Sequence, residues 1–558
     1  MPFVAIAVLA IVVIPSSLAQ DMEPQDWIGI RQAAEQAYRA EDAEAARELF
    51  ASLTGKFPDD AEAWYGLSRA REWLGDLDGA IAAAERVQAI GYRSRASLAY
   101  RLAALHARAG NGSEALDWLE RALEARYENR PGIQNDDAFS ELRDDPRFRR
   151  LAGMLPERIR DRTSGLRFDI DYLVEEARRM HADPRRPAHS DAFRQAAGNL
   201  AASIPEKSDA EVFVDMMRLV AMLGDGHSAF YGPGPDSPLR LQAGLLPLTF
   251  YWFDEGLYVT HDHAAQGDLA GHRVIAFGGI PAESLLEQLA ELRGVDNAMT
   301  WRWMGPQFYV GQAALLDAFG AMDDDGSVEV TLQSPRGETV VRRLIPAERP
   351  FRRKLRPPAT VSDVPLYLSN VSDNYWMQPL GNGDTLYLQF NQVRDKDDEP
   401  IADFAASLTE RLRDGKTTSL IVDVRHNNGG NNSLLTPLVN ALIAFERADP
   451  DNQLFVITGR NTFSAAQNFI NRVERSTNAV FVGEPSSSSP NFVGEETTLQ
   501  LPWSRLFGSI STRYWQDSTP DDERPWIVPD IPVTPTAADY FAGRDAALEA
   551  ILAFLSKS

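Results

Sequence analysis

Apolar positions along this chain follow three patterns in succession. From 27 to 125 they recur at helical spacing in Ala-rich stretches. Ala46, Ala80 and Ala115 lie 34 and 35 residues apart, each opening an A-x-x-x-[FAL] run, and Gly75 and Gly110 precede two of them by five residues. This predicts three helix-turn-helix units. One such unit cannot bury its apolar face, and a stack of three can. Residues 126–164, which include DDAFSELRDDPRFRRLAGML, predict a helical cap or linker. The helical period resumes in a segment over 165–235 that closes on LGDGHSAFYGPG. Over 240–350 the pattern changes to short β runs: LPLTFYW, LYVTHD, HRVIAFGG, SVEVTLQ and TVVRRLI, with turn signals between them. The third pattern occupies 365–557. LYLQFNQV, SLIVDV, LFVIT and AVFVGE are apolar strands separated by helices near 400–413, 432–446 and after Ser464. Such alternation predicts a mainly parallel, buried sheet.

Composition sharpens this in three respects. At 558 residues the chain is too long for one core. The N-terminus, MPFVAIAVLAIVVIPSSLAQ, is an apolar run followed by small residues, and Ser17-Leu18-Ala19 fits a signal-peptidase site. Residues 1–19 are therefore expected to be a signal peptide, with export to the periplasm or beyond. The basic flank usual for such a segment is missing, which leaves an uncleaved anchor as the alternative. No other run is long enough to span a membrane. The chain has no cysteine, which excludes disulfides, thiolate zinc sites and a cysteine nucleophile. A net charge of −24 repels nucleic acid and anionic membranes, so no nucleic-acid partner is expected.

The candidate chemistry centres on Gly459 to Phe469, GRNTFSAAQNF, a serine between an apolar β run and a helical run. The first N–H groups of a helix favour negative charge, which suits a serine that must carry an oxyanion. A helix cap is the plainer role for Ser464. One βα unit earlier, IVDVRHNNGGN places Gly429 and Gly430 in a loop where backbone N–H groups can approach a ligand. In a parallel sheet both loops emerge at the same carboxyl edge. His227 lies far upstream in GDGHSAF, in a glycine-flanked loop, unlike His106 in a repeat helix. His426, on the glycine loop, is a competing base. His261 and His263 could pair on a metal, but no third ligand accompanies them and neither metal nor cofactor is expected. Asp323–Asp325 reads as a turn, and Ser486–Ser489 as a flexible flap over the site.

Two resemblances accompany these residues. Trp64, Leu67, Gly75, Ala80, Ala84 and Tyr92 sit at tetratricopeptide spacing. DVRHNNGG, TFSAAQNF, GDGHS and the ending ERPWIVPDIPV occur in the order found in the tail-specific (C-terminal processing) and tricorn-core serine peptidases, and the likeness covers about 70% of the chain. It implies a divergent PDZ-like β domain over 240–350, similar in LAGHRVIAFGGIPAESL, and an α/β core of crotonase/Clp-like fold over 365–557. The tail-specific branch uses a lysine about 25 residues after the serine; here that position is Ser489. The tricorn-like branch uses a histidine ahead of the PDZ module and a glutamate near the C-terminus, which His227 and Glu523 match. Trp526-Ile527 replace that branch's glycine-valine pair, Gly226 replaces the serine before its histidine, and Gln467 replaces a glutamate often found after the nucleophile. The resemblance implies catalysis by Ser464, His227 and Glu523, with an oxyanion held by the N–H of Ala465 and that of Gly429 or Gly430, about 3 kcal/mol per donor.

The sequence thus reads as an exported serine peptidase acting on polypeptides, with the repeat array recruiting a protein partner or the substrate. Its rivals are a catalytically degenerate peptide-binding scaffold and a small-molecule ester or amide hydrolase.

Overall fold

The computed structural model describes residues 24–92, 94–264, 268–347 and 355–557, so the expected signal segment lies outside the described residues. The chain divides into two compact units, one ending at Arg160 and the other beginning at Asp161. No described helix is long and apolar enough to cross a membrane.

The first unit is built from three helix pairs: Pro24–Arg39 with Ala43–Lys56, Ala61–Trp73 with Leu77–Ile90, and Arg95–Arg108 with Gly112–Glu124. Asp42, Asp60 and Asp76 each accept an N–H three residues on, caps worth about 1 kcal/mol apiece. Gly75 and Gly110 turn the chain at φ 78° and 77°. The three repeat alanines are fully buried. At Gly66 a Cβ would lie 2.5 Å from the Phe50 ring, so helix contact there depends on its absence. Short helices Arg130–Ile133, Asp137–Leu142 and Pro146–Leu151 cap the stack through Ile133, Phe139 and Phe148. The cap ends sooner than 164: Asp161 already caps the next helix by accepting the Ser164 N–H.

The second unit holds three sheets. Helices Arg162–Met180, Asp191–Ser203 and Asp209–Ala221 precede them. All five β runs expected over 240–350 are strands, in the order Leu248–Phe253, Gly256–Asp262, Arg273–Phe277, Val328–Gln333, Thr339–Leu344, all antiparallel. Helices fill the interval between the third and fourth of them, among them Ala282–Ala290 and Ala298–Met304. The α/β sheet runs Ile531–Pro532, Val480–Gly483, Gln453–Thr458, Ser419–Asp423, Thr385–Phe390, Tyr375–Leu380, parallel except for the last. Its central strands are buried throughout, and their sequences are apolar but for Thr385, Gln389, Ser419 and Asp423.

The third sheet departs from the sequence reading. The segment taken as helical to 235 ends in a strand, Ala229–Pro233, which pairs with Leu506–Gln516, itself paired with Asn491–Gln500. These strands lack regular apolar–polar alternation. They are held because Leu499, Leu506 and Ile510 join a core with Leu166, Leu173 and Phe213, partners remote in sequence.

Candidate active site

Ser464 sits between the strand Gln453–Thr458 and the helix Ala465–Ser476, at φ 56°, ψ −123°. This region suits glycine and costs another residue about 1–3 kcal/mol. The turn is fixed from below. The Thr462 hydroxyl donates to Val424 O (2.9 Å), Phe463 N–H to Asn427 O (3.1 Å), and Ser464 N–H to Ser488 Oγ (3.1 Å). A helix cap would use its side chain to accept a helical N–H, and the Ser464 side chain makes no such bond.

The glycine loop presses against this turn. Gly429 has φ 106°, and a Cβ on it would lie 2.8 Å from Ser464 Cβ and 2.9 Å from Ala465 N. Gly430 has φ 138° and is clasped by Val393, whose O accepts from Asn431 N–H and whose N–H donates to Gly429 O. Of the three expected oxyanion donors, Gly429 N–H is already given to Asn427 Oδ1 at 3.0 Å. The N–H groups of Gly430 and Ala465 have no acceptor among the described residues. Asn427 was not singled out in the sequence; it anchors the loop by also donating to Phe390 O.

His227 is buried in a ring stack, 4.3 Å from Phe463 and 5.6 Å from Phe492 between centroids. The residue before the serine is thus the neighbour of the histidine. Neither ring nitrogen has a hydrogen-bond partner. Burial lowers its pKa below the ordinary histidine value, against the opposing pull of Glu496 and Asp225. Its loop is organised by Asp225, which accepts from the N–H groups of His227 and Ser228, from Ser511 Oγ, and bonds His181 Nε2 at 2.9 Å. Burial opposes ionisation of that carboxyl, but these bonds prevail and hold it below the usual range.

The segment Arg293–Thr300, in the helical insert of the antiparallel sheet, ties the pieces together, and nothing in its sequence announces this. Arg293 Nη2 donates to Gly226 O, and Gly226 N–H donates to Asp296 Oδ1 at 2.8 Å. Gly294 packs so closely that a Cβ would meet Asp225 O at 2.6 Å. On its other side, Thr300 Oγ1 donates to Ser487 O, and Asn297 Nδ2 donates to Ser486 O and to Pro525 O. Burial pushes the Asp296 carboxyl up to about 7, although Gly226 N–H opposes this.

Ser486, Ser487 and Ser488 are buried and bonded on both sides, so the expected flap is a fixed strut. Glu523 is exposed and has no hydrogen bond or ion pair with another described residue, and it does not bond His227. Its neighbour Pro525 does reach the strut, accepting from Ser489 Oγ at 3.2 Å, so the C-terminal segment folds back onto the carboxyl edge. Gln467 is buried and donates to Asn471 Oδ1. His426 bonds Tyr367 O through Nε2 and stacks on the Tyr367 ring. His261 and His263 bond Pro357 O and Thr249 Oγ1, and no group of three or more metal-ligating side chains occurs among the described residues. Asp325 caps Ser327 N–H in the expected turn.

Residues 37–97 match the family model for the tetratricopeptide repeat. No curated protein matches the chain. Among solved structures the chain is similar to mature CPAF complexed with lactacystin, at 13% identity over 71% of this chain and 98% of that one, with a TM-score of 0.50. A second structure of mature CPAF gives 13%, 71%, 97% and a TM-score of 0.48. The photosystem II D1 C-terminal processing protease gives 15%, 68%, 98% and a TM-score of 0.33. The first of these matches establishes a shared fold, and at such identity nothing beyond the fold.

Proposed function

We propose that this protein is a serine peptidase that cleaves polypeptides through an acyl-enzyme. One observation carries the reading: Ser464 is held in a glycine-like conformation at a helix N-terminus, against a glycine loop, with two backbone N–H groups left unbonded beside it. That strain has no structural use for a mere cap, and it presents a hydroxyl to an oxyanion site.

In this reading Ser464 Oγ attacks the scissile carbonyl, Ala465 and Gly430 N–H hold the oxyanion, and His227 takes the proton. Glu523 orients the imidazole in a tricorn-like Ser-His-Glu arrangement. Substrate binding draws His227 from its aromatic stack, and the C-terminal segment carries Glu523 to it, since catalytic hydrogen bonds often tighten only with substrate present. The antiparallel sheet with helix Ala282–Ala290 serves as a PDZ-like module and the α/β sheet as a crotonase/Clp-like core. The repeat array recruits a protein partner or the substrate, nucleic acid takes no part, and the N-terminal segment directs export.

Glu523→Gln should keep the fold and lower turnover by about two to four orders of magnitude. The acid limb of kcat/KM, which reports the free enzyme, should lie below the ordinary histidine pKa of ~6.5, because burial keeps the His227 imidazole neutral to lower pH. Unchanged turnover in Glu523→Gln would remove it from the relay. A second reading, a catalytically degenerate peptide-binding scaffold, is favoured by the two unbonded ring nitrogens of His227 and the exposed Glu523. Failure of wild-type protein to react with a fluorophosphonate would select it.

A further inference from the structure

An open groove of about 550 Å³ reaches the glycine loop at Asn428, inside the roughly 300–1,000 Å³ range of ligand clefts. Asn428, next to Gly429, lines its end, and Trp303 lines its wall 5.4 Å from the ring of Phe463, the residue before Ser464. The wall is mostly apolar or aromatic, with Met304, Tyr231 and Tyr309; Gln242 and Gln312 join it, and Arg293 is its one charged residue among the described residues.

Arg293, which is partly buried, differs from the other enclosed arginines of this unit. Arg425 is bonded to the carboxylates of Asp423 and Asp545, and Arg460 to that of Glu484. No carboxylate of the described residues comes within 4 Å of Arg293. Its Nη2 goes to Gly226 O, and its Nε is buried with no acceptor. The charged groups nearby are committed elsewhere. Asp225 serves His181, Ser511 and two backbone N–H groups. Asp296 turns Oδ1 to Gly226 N–H, and burial disfavours its charge. The Tyr231 hydroxyl is bonded to Ser509 Oγ, and the Tyr309 hydroxyl, which does face Arg293, is a neutral partner and no counter-ion. A buried guanidinium without a counter-ion is costly, and a carboxylate offers it charge-assisted bonds.

We infer that Arg293 is the receptor for a substrate carboxylate, supplied by an aspartate or glutamate side chain close to the scissile bond. The inference rests on the peptidase reading for its location, since the groove ends at the glycine loop. The side chain is the source because Arg293 also bonds the carbonyl next to His227, which keeps its head group within the catalytic loops. The site would thus select acidic segments of polypeptides, and the residue sets specificity by pairing charge rather than by shape.

The test uses full-length protein and a defined peptide library in two arms. In the first, wild-type enzyme digests the library and the cleaved positions are read by mass spectrometry. Acidic residues should be enriched about ten-fold near the cut, and Glu→Gln in a cleaved peptide should lower kcat/KM about ten-fold. In the second, Ser464→Ala protein is used to retain peptides by binding alone, so the result does not depend on turnover. The same acidic enrichment should appear there and disappear in Ser464→Ala/Arg293→Gln. Absence of acidic enrichment in both arms would overturn the inference. So would a preference that follows the free C-terminal carboxylate, or one that persists without Arg293. Enrichment in the binding arm without cleavage would keep the inference and reject the peptidase reading.

Discussion

Two buried polar clusters lie at the carboxyl side of the α/β sheet, and they are finished to different degrees. In the first, Arg425 spans Asp423 and Asp545, Tyr387 donates to Asp423, and Arg460 forks onto Glu484. Each of these charges meets an opposite one. In the second, around Ser464, His227 keeps both ring nitrogens unbonded, Arg293 keeps Nε, Asp296 keeps Oδ2, and Asn468 keeps its whole amide. Asn468 lies one helical turn behind Ser464, on the same face. Buried polar atoms are nearly always satisfied in native proteins, so these unbonded atoms mark places for a further partner, water or substrate. The first cluster holds the loops in place, and the second is kept open by them.

Breaking the closed cluster should cost the most. Glu484→Gln would leave the Arg460 guanidinium, which is 2% exposed, without its counter-charge. About 3–5 kcal/mol of stability should be lost, visible as a lower urea midpoint. A loss under about 1 kcal/mol would mean that this pair does not hold the serine loop. Intruding on the open cluster should cost reactivity instead. Gly429→Ala places a methyl against Ser464 and Ala465 N at a φ only glycine favours. Labelling by a fluorophosphonate should slow by about 100-fold, comparable to the loss of one oxyanion donor, and an unchanged rate would show that the glycine loop does not face the reacting atoms. The smallest effect concerns Ser464 itself. Ser464→Gly removes a side chain from a strained backbone, and stability should rise by up to about 1 kcal/mol, read as a higher melting temperature. A lower melting temperature would mean that the turn is unstrained.

The regular parts of this molecule were legible because their periods are local. The alanine repeat, the five antiparallel strands and the parallel strands all appear where the apolar spacing puts them. The junction that holds Ser464 was legible because the apolar period changes there from that of a strand to that of an amphipathic helix. The rest depends on contacts that no spacing encodes. The strands at 491–500 and 506–516 owe their burial to helices some three hundred residues earlier. Ser486–Ser489 looked like a flap because serines are polar, yet the insert at Asn297 and Thr300 satisfies and buries most of that strut. The carbonyl-clasping role of Val393 and the anchoring of Gly429 by Asn427 likewise belong to the tertiary fold.

The central claim is that Ser464 is a nucleophile and not a cap. The most direct measurement is reaction of the full-length protein with a fluorophosphonate, followed by peptide mapping of the adduct. A single adduct on the peptide containing Ser464, absent in Ser464→Ala while the melting temperature stays within a degree or two, is the result expected. Labelling that survives the substitution, or maps to another serine, would contradict it.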